Sequence, residues 1–357
     1  MARLGDIFTI MSGGTPDKKK SEYYANGTIP WVKTGDLKNQ YVPTGIECIT
    51  EEGLNNSSAK LFPPNTVLVA MYGATIGACS ILPYEASTNQ ACAAFLPNEK
   101  VMPTYLYYFL SSKKEQFIKD GVGGAQPNIS AGYLKNVQFD LIPMQQQINM
   151  VRTLDKVSEL ITLRKEQLAK LEQLVKSRFI ELFGDPIRNT QNRPTTDFIN
   201  VVKMQRGFDL PVQDRQQNGK VPVFGSNGAL DRHNVAKVQG GGVITGRSGT
   251  IGKVYYTEGD YWPLNTSLFS VDTHGNNIIY LAYLLQMYDL SRFTEGTGVP
   301  TLNRNKFHDK PIIDVPLNEQ KQFAVFVKQT DKSKLAIQQS LDKLETLKKS
   351  LMQEYFG

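Results

Sequence analysis

The feature that most constrains this chain is that it is written twice. Residues 171–185 read LEQLVKSRFIELFGD, and residues 344–357 read LETLKKSLMQEYFG. Asn26-Gly27-Thr28-Ile29-Pro30 returns 192 residues later as Asn218-Gly219-Lys220-Val221-Pro222. Thr75-Ile76-Gly77 returns as Thr250-Ile251-Gly252, and Tyr105-Leu106 as Tyr280-Leu281, both at an offset of 175. Pro143 returns as Pro316 and Phe183-Gly184 as Phe356-Gly357, both at 173. Matches kept in one order imply a duplication, and the shrinking offset implies shorter loops in the second copy. The chain must therefore fold as one plan used twice: globular, helical, globular, helical.

The helical parts carry a coiled-coil period. Within 145–182, apolar residues alternate steps of three and four at Leu154, Val157, Ile161, Leu168, Leu171, Val175 and Leu182. Arg164 and Arg178 take the two remaining seam positions. Within 318–356 the seam is Ile337, Leu341, Leu344, Leu351 and Tyr355, interrupted by Lys348. Neither stretch has an interior proline or glycine, so each predicts a helix of about 55 Å at 1.5 Å per residue. Two helices of equal length, each closing its own copy, pair most economically with each other. An antiparallel pair places one globular unit at each end, with a pseudo-twofold axis across the bar. The alternative is that each helix packs on its own globular half.

The globular halves read as β-rich with short helices. Residues 66–70 and 242–245 predict buried strands bounded by glycine turns. Residues 105–117 and 280–290 predict amphipathic helices, and Pro143 and Pro316 mark the entries to the long helices. The expected fold is α+β: two β-rich domains, 1–144 and 186–317, separated by two long antiparallel coiled-coil helices, 145–185 and 318–357, in a pseudo-twofold tandem repeat.

Hydrophobic residues make up 40% and charged residues 21% of the chain, which places it among folded proteins and not disordered ones. No run of eighteen apolar residues offers a membrane span, and the opening MARLGDIFTI has no signal-peptide pattern. Cys48, Cys79 and Cys92 lack metal-type spacing, and their odd number argues against a disulfide framework. A reducing cytoplasm is the expected location. The net charge of +6 suits a nucleic-acid partner. It is not concentrated, since residues 1–144 hold 12 basic and 12 acidic side chains. Any such contact must come from locally placed charges.

Motifs for chemistry are missing. The only Pro-Pro, in Phe62-Pro63-Pro64-Asn65, has the wrong order for the loop that holds a flipped-out adenine during methylation. Residues 246–254, GRSGTIGKV, approach a phosphate-binding loop, but Val254 replaces the hydroxyl residue that would hold magnesium. A strand–turn–strand reading suits them better. His233, His274 and His308 are scattered and fit surface or capping roles. No metal site is expected.

Several motifs in combination resemble the specificity (S) subunits of type I restriction–modification systems. They are Leu4-Gly5-Asp6, Ser12-Gly13-Gly14-Thr15-Pro16, Gly27-Thr28-Ile29-Pro30-Trp31-Val32-Lys33-Thr34-Gly35-Asp36-Leu37, Gly73-Ala74-Thr75-Ile76-Gly77, Asn89-Gln90 and Gln126-Pro127-Asn128-Ile129. Ile142-Pro143 then leads into a glutamine-rich helix start, and Leu182-Phe183-Gly184-Asp185 closes the first copy. The resemblance covers the whole chain. It implies that each globular half is a target recognition domain for one half of a bipartite site on double-stranded DNA. It also implies that the helices hold two modification (methyltransferase) subunits and that restriction subunits join them. S-adenosylmethionine, ATP and Mg belong to those partners, and this chain is a non-catalytic subunit without a cofactor of its own. The second copy departs from the first, with Arg206-Gly207-Phe208-Asp209-Leu210-Pro211 and Pro300-Thr301-Leu302-Asn303 at the matching loops, which implies an asymmetric target. The competing classes are a self-contained nuclease or methyltransferase, which lacks a cofactor motif, and a structural coiled-coil adaptor without DNA binding.

Base edges are read by paired donors and acceptors, and phosphates by Lys, Arg, hydroxyls and free amides, from loops on a rigid framework. In the first half the candidates are Ser12, Gly13, Gly14, Thr15, Lys18, Lys19, Lys20, Lys33, Thr34, Tyr72, Asn89, Gln90, Gln126 and Asn128. Trp31 is expected in the core. Asn89 and Asn265 recur between copies, which favours a shared structural role. In the second half the candidates are Arg206, Arg215, Ser226, Asn227, Arg247, Ser248, Asn303, Arg304 and Lys306, with Arg247 in a turn that lets it reach a base edge. Leu174, Phe179, Phe323 and Phe326 are candidate anchors for partner subunits.

Overall fold

The computed structural model describes residues 1–122, 128–296 and 300–357. It has two compact units, Met1–Leu163 with Leu341–Gly357, and Arg164–Ser340. Unit 1 contains β1 (Ile10–Ser12), β2 (Ile29–Val32), β3 (Val67–Ala70), β4 (Cys79–Ile81), β5 (Ala86–Thr88), β6 (Cys92–Phe95), α1 (Pro103–Ser112) and the start of α2 (Met144–Phe183). Unit 2 contains the rest of α2, then β7 (Lys203–Arg206), β8 (Val221–Gly225), β9 (Gly228–His233), β10 (Gly242–Gly246), β11 (Val254–Thr257), β12 (Trp262–Pro263), β13 (Ser267–Asp272), α3 (Ile278–Tyr288) and the start of α4 (Leu317–Phe356).

The two units share one topology. In unit 1 a four-stranded antiparallel sheet runs β1-β6-β3-β4, and in unit 2 the corresponding order is β7-β13-β10-β11. Beside each lies a sheet with one parallel pair, β2 with β5 in the register Trp31↔Ser87, and β8 with β12 in the register Val223↔Trp262. The short apolar runs predict their own fate: all four residues of β3 and all five of β10 are buried. Trp31 is in the core, its indole N–H donating to Gly14 O at 3.0 Å. The glycine-rich 246–254 segment is a hairpin turn, with β10 antiparallel to β11.

The helix expected over 105–117 starts earlier, with Pro103 at its first position, where a missing N–H costs nothing. It breaks at Lys113, after which a second helix covers Lys114–Asp120. Lys113 Nζ donates to Phe356 O at 2.6 Å.

Each long helix has 40 residues and begins directly after its proline, about 60 Å at 1.5 Å per residue. The stripe foreseen along them is the one that is covered. From Leu154 to Leu182 every seam residue, both arginines included, is buried or half-buried, as are Ile337, Leu341, Leu344, Lys348, Leu351 and Tyr355. Of the seam arginines, Arg178 pairs with the Glu181 carboxylate and Arg164 donates to the neutral amide of Gln167, both at 2.7 Å.

In unit 1, Val151 and Leu154 near the start of α2 share a core with Phe356 at the end of α4. In unit 2, Val175, Phe179 and Phe183 near the end of α2 share a core with Phe323, Ala324 and Val327 near the start of α4. Start meets end in both units, as an antiparallel pair requires. Each helix therefore packs on both globular halves and not on its own alone.

Two of the expected docking anchors belong to this interior. Phe179 and Phe323 are fully buried with their rings 5.5 Å apart, and Phe326 packs partly buried against the same core. Their spacing off the seam reflects a second apolar face turned to the globular domain. Leu174 is 49% exposed.

One polar device fixes the helices to the domains. Gln147 and Gln320, the equivalent fourth residues of α2 and α4, are 0% and 1% exposed. Gln147 accepts from Met102 N at 2.9 Å and donates to Lys100 O and Ile142 O, both at 2.9 Å. Gln320 accepts from Asn277 N at 2.8 Å and donates to Val315 O and Asn276 Oδ1, both at 2.7 Å. Met102 and Asn277 cap α1 and α3, so each buried amide ties the entry of a long helix to the entry of a domain helix.

Candidate nucleic-acid interface

In each unit the strands deliver three backbone segments to one end of the sheet pair. In unit 1, Gly14 N donates to Thr88 O at 2.9 Å, Met71 N to Ala91 O at 2.8 Å and Ile129 N to Met71 O at 3.0 Å. In unit 2 the matching bonds run from Phe208 N to Pro263 O, from Arg247 N to Thr266 O and from Leu302 N to Arg247 O, each at 2.8 Å. This frame fixes the equivalences by geometry. Met71 corresponds to Arg247, Ser12 to Arg206, and Ala131 to Arg304.

Asn89 N donates to Val32 O as Leu264 N does to Phe224 O. Asn89 is thus matched by Leu264, and the counterpart of Asn265 is Gln90. That corrects the pairing of Asn89 with Asn265 expected from sequence, which a one-residue difference between the copies displaced. The structural role assigned to Asn265 lies in its side chain, which donates to Asp209, and Gln90 bonds Thr15 at the same place in unit 1. Asp209 follows Gly207 as Thr15 follows Gly13, and that spacing was the available signal for a partner the sequence reading left out.

Several unit 1 candidates are occupied by the fold itself. Gly13 and Gly14 are buried, and a Cβ on them would lie 2.0 Å from Thr88 O and 2.3 Å from Ser58 C. Their lack of a side chain is a packing requirement. Lys33 is paired with Glu47 at 2.6 Å, and that hydrogen bond holds its ammonium pKa above the ordinary lysine value. Lys20 donates to the Tyr23 hydroxyl at 2.8 Å. Lys18 and Lys19 are exposed, Tyr72 is 44% exposed and bridged to the exposed Asn128, and Ser12 and Thr34 are half-buried. Gln126 lies outside the described residues.

In unit 2, Arg215 is taken up internally. Its guanidinium donates twice to Leu210 O at 3.2 Å and meets Asp231 at 3.6 Å, with the side chain 15% exposed. Two carbonyl bonds and a carboxylate leave it a loop-holding residue, which corrects its place among the DNA candidates. Asn227 is exposed and Ser248 half-buried. Ser226 lies against the Arg247 turn, where a Cβ on Gly246 would come 3.2 Å from its own.

The remaining candidates converge. Arg206, Arg247, Asn303 and Arg304 line one concave pocket of about 320 Å³, together with Glu295 and Thr301. The carboxylate of Glu295 is engaged by Lys306 at 2.7 Å. Three guanidiniums thus face a cavity without an unpaired carboxylate among the described residues that line it. Beneath them His308 accepts a hydrogen bond from Met204 N at its Nε2, at 3.2 Å. Burial, then the charges of Arg304 and Lys203, push its pKa below the ordinary value.

His233 meets the Trp262 edge at 5.3 Å, and His274 Nε2 is 2.9 Å from Ile199 O. Burial raises the thiols of Cys79 and Cys92 to about 12, so neither is a nucleophile. Among the described residues no group of three or more His, Cys, Asp or Glu could hold a metal ion, and no helix is long and apolar enough to cross a membrane.

Comparison with known proteins agrees with the duplicated architecture. The family described as type I restriction modification DNA specificity domain matches residues 1–173 and again 188–348. The MjaIX specificity subunit of Methanocaldococcus jannaschii is 31% identical over 196 residues, 53% of this chain and 45% of that protein. A second relative is likewise matched over 45% of its length, so the chain spans about half the length of these two. The EcoprrI specificity subunit of Escherichia coli is 23% identical over 98% of this chain and 88% of its own. The S subunit from M. genitalium has the same fold, with a TM-score of 0.63 at 15% identity, covering 99% of this chain and 95% of that one. Matched twice by one family model, once in each copy of its repeat, the chain belongs to the type I restriction–modification DNA specificity family.

Proposed function

We propose that the chain is the DNA-reading subunit of a type I restriction–modification system. Units 1 and 2 recognise the two unlike halves of a bipartite, asymmetric duplex site. The observation that carries this reading is the contrast between copies. One backbone frame carries Ser12, Met71 and Ala131 in unit 1, where Met71 is buried in the core, and Arg206, Arg247 and Arg304 in unit 2, where the three arginines line a cavity. A framework kept constant while the side chains set on it change is what two different sequence readers need.

In this reading the exposed faces of the helices hold two modification subunits, which carry S-adenosylmethionine, and restriction subunits bring ATP and Mg chemistry. This chain contributes selection and not bond breaking, and it works in the cytoplasm.

The deciding experiment is methylome sequencing of a host that expresses the chain with a modification subunit. A two-part adenine motif is expected, and substitutions in unit 2 should alter one part only. Duplex affinity should fall steeply with salt, because phosphate contacts release counterions. Salt-insensitive binding with no methylated motif would instead mark a structural adaptor.

A further inference from the structure

The unit 2 pocket divides its three arginines between two tasks. The backbone of Arg247 is held on both sides. Its N–H and C=O are both locked into the sheet frame, to Thr266 and Leu302 at 2.8 Å. Its guanidinium Nη1 lies 3.5 Å from Asn265 O, a loose contact that, among the described residues, leaves the other donors of the fork unused. Arg206 stands at the exposed end of β7, and Arg304 opens a short turn behind the cap Asn303. Among the described residues neither of their side chains meets a carboxylate. With Glu295 engaged by Lys306, the cavity gathers like charge that an acceptor-rich, anionic ligand would relieve.

Resting on the DNA-reading function above, we propose that Arg247 reads the O6/N7 edge of a guanine in the unit 2 half-site while Arg206 and Arg304 neutralise the flanking phosphates. An arginine whose backbone is locked into the frame suits bidentate base recognition, and the exposed Arg206 and half-buried Arg304, both outside that frame, suit the phosphates. The equivalent positions of unit 1 are Met71, Ser12 and Ala131, so the first half-site is read by other means.

The test is selection of bound duplexes from a randomised pool by the full chain, followed by sequencing and salt titration. Arg247→Ala should degrade one guanine of one half-motif, with about 10- to 100-fold loss on the parent site. Arg206→Ala and Arg304→Ala should keep the motif, bind all duplexes more weakly, and each lower the salt slope by about 1. Arg247→Gln keeps a paired donor and acceptor and should move preference at that base from guanine towards adenine, which covers the case in which the alanine variant fails to fold. An unchanged motif in folded Arg247→Ala, or the same guanine lost in Arg206→Ala, overturns the division of tasks and leaves the DNA-reading function standing. Failure of the unsubstituted chain to enrich any motif removes that function, and the pocket's role with it.

Discussion

Phe356, at the end of α4, packs its ring 5.4 Å from that of Tyr105 at the start of unit 1's domain helix. Its counterpart Phe183, at the end of α2, lies 5.1 Å from Tyr280, the counterpart of Tyr105. The closing phenylalanine of the first copy thus completes the core of the second unit, and that of the second copy completes the first. Writing the helix twice is what allows each globular half to be finished by the other copy's end.

This exchange makes the two phenylalanines act on opposite halves of the molecule. Both are buried, at 0% and 6% exposure, and a large-to-small change in such a site costs about 3–5 kcal/mol. Phe183→Ala, in the first copy, should weaken protection in unit 2, and Phe356→Ala in unit 1. Hydrogen exchange resolved by segment reads this directly. Loss of protection confined to the copy that carries the substitution would contradict the exchange.

The buried glutamines offer a second measurement. Replacing Gln147 with leucine keeps its volume but strands Met102 N and the carbonyls of Lys100 and Ile142. An unsatisfied buried group costs about 1–3 kcal/mol. Gln147→Leu should therefore lower the denaturant midpoint well beyond what the same change does at the exposed Gln145. Gln320→Leu should do the same in unit 2. Equal, small effects at all three sites would show that the amides do not hold the helix entries.

His308 should make unit 2 sensitive to acid. Its imidazole is neutral and accepts from Met204 N, with burial and the charges of Arg304 and Lys203 lowering its pKa from 6.5, against a smaller opposing effect of Asp309. Because the folded value lies below the unfolded one, the unfolded chain binds more protons between them. The stabilisation is whole above about pH 6.5 and fades as pH falls through the window beneath it. Urea midpoints measured from pH 7.5 to 5 should show this slope in the parent and a shallower one in His308→Asn. Parallel slopes would remove His308 as the cause.

Long, strongly periodic elements were legible before any coordinates. The seam from Leu154 to Leu182 follows from side-chain spacing alone, because a covered stripe along a helix leaves a regular alternation of three and four. Residues met through space were not. Gly13 and Gly14 read as a loose loop, since a packing glycine and a flexible one are spelled the same way. Arg215 and Arg247 look alike as loop arginines, yet Asp231 and Leu210 O enclose the first while the second faces a cavity. The convergence of Arg206, Arg247 and Arg304 depends on strand order, which no local pattern encodes.

Asn265 connects the frame to the recognition loop, and its removal should separate reading from folding. Its side chain holds Asp209, two residues beyond the tightly packed Gly207, and its backbone carbonyl lies beside the Arg247 guanidinium. Asn265→Ala deletes the first contact and leaves the second, so the loop gains freedom while the arginine keeps its support. The pair is exposed, so the thermal midpoint should change little, as expected for a surface hydrogen bond. Binding must then order a loop that was ordered beforehand, at a cost of about 0.5–1.5 kcal/mol per immobilised side chain. Affinity for the parent site should fall by about 3- to 10-fold through a faster off-rate, with the preferred bases unchanged. In unit 1, Gln90→Ala should act in the same way through Thr15, weakening the other half-site. A change of motif in either variant would make these amides base readers instead of loop holders, and an unchanged off-rate would show that the loops do not touch the duplex.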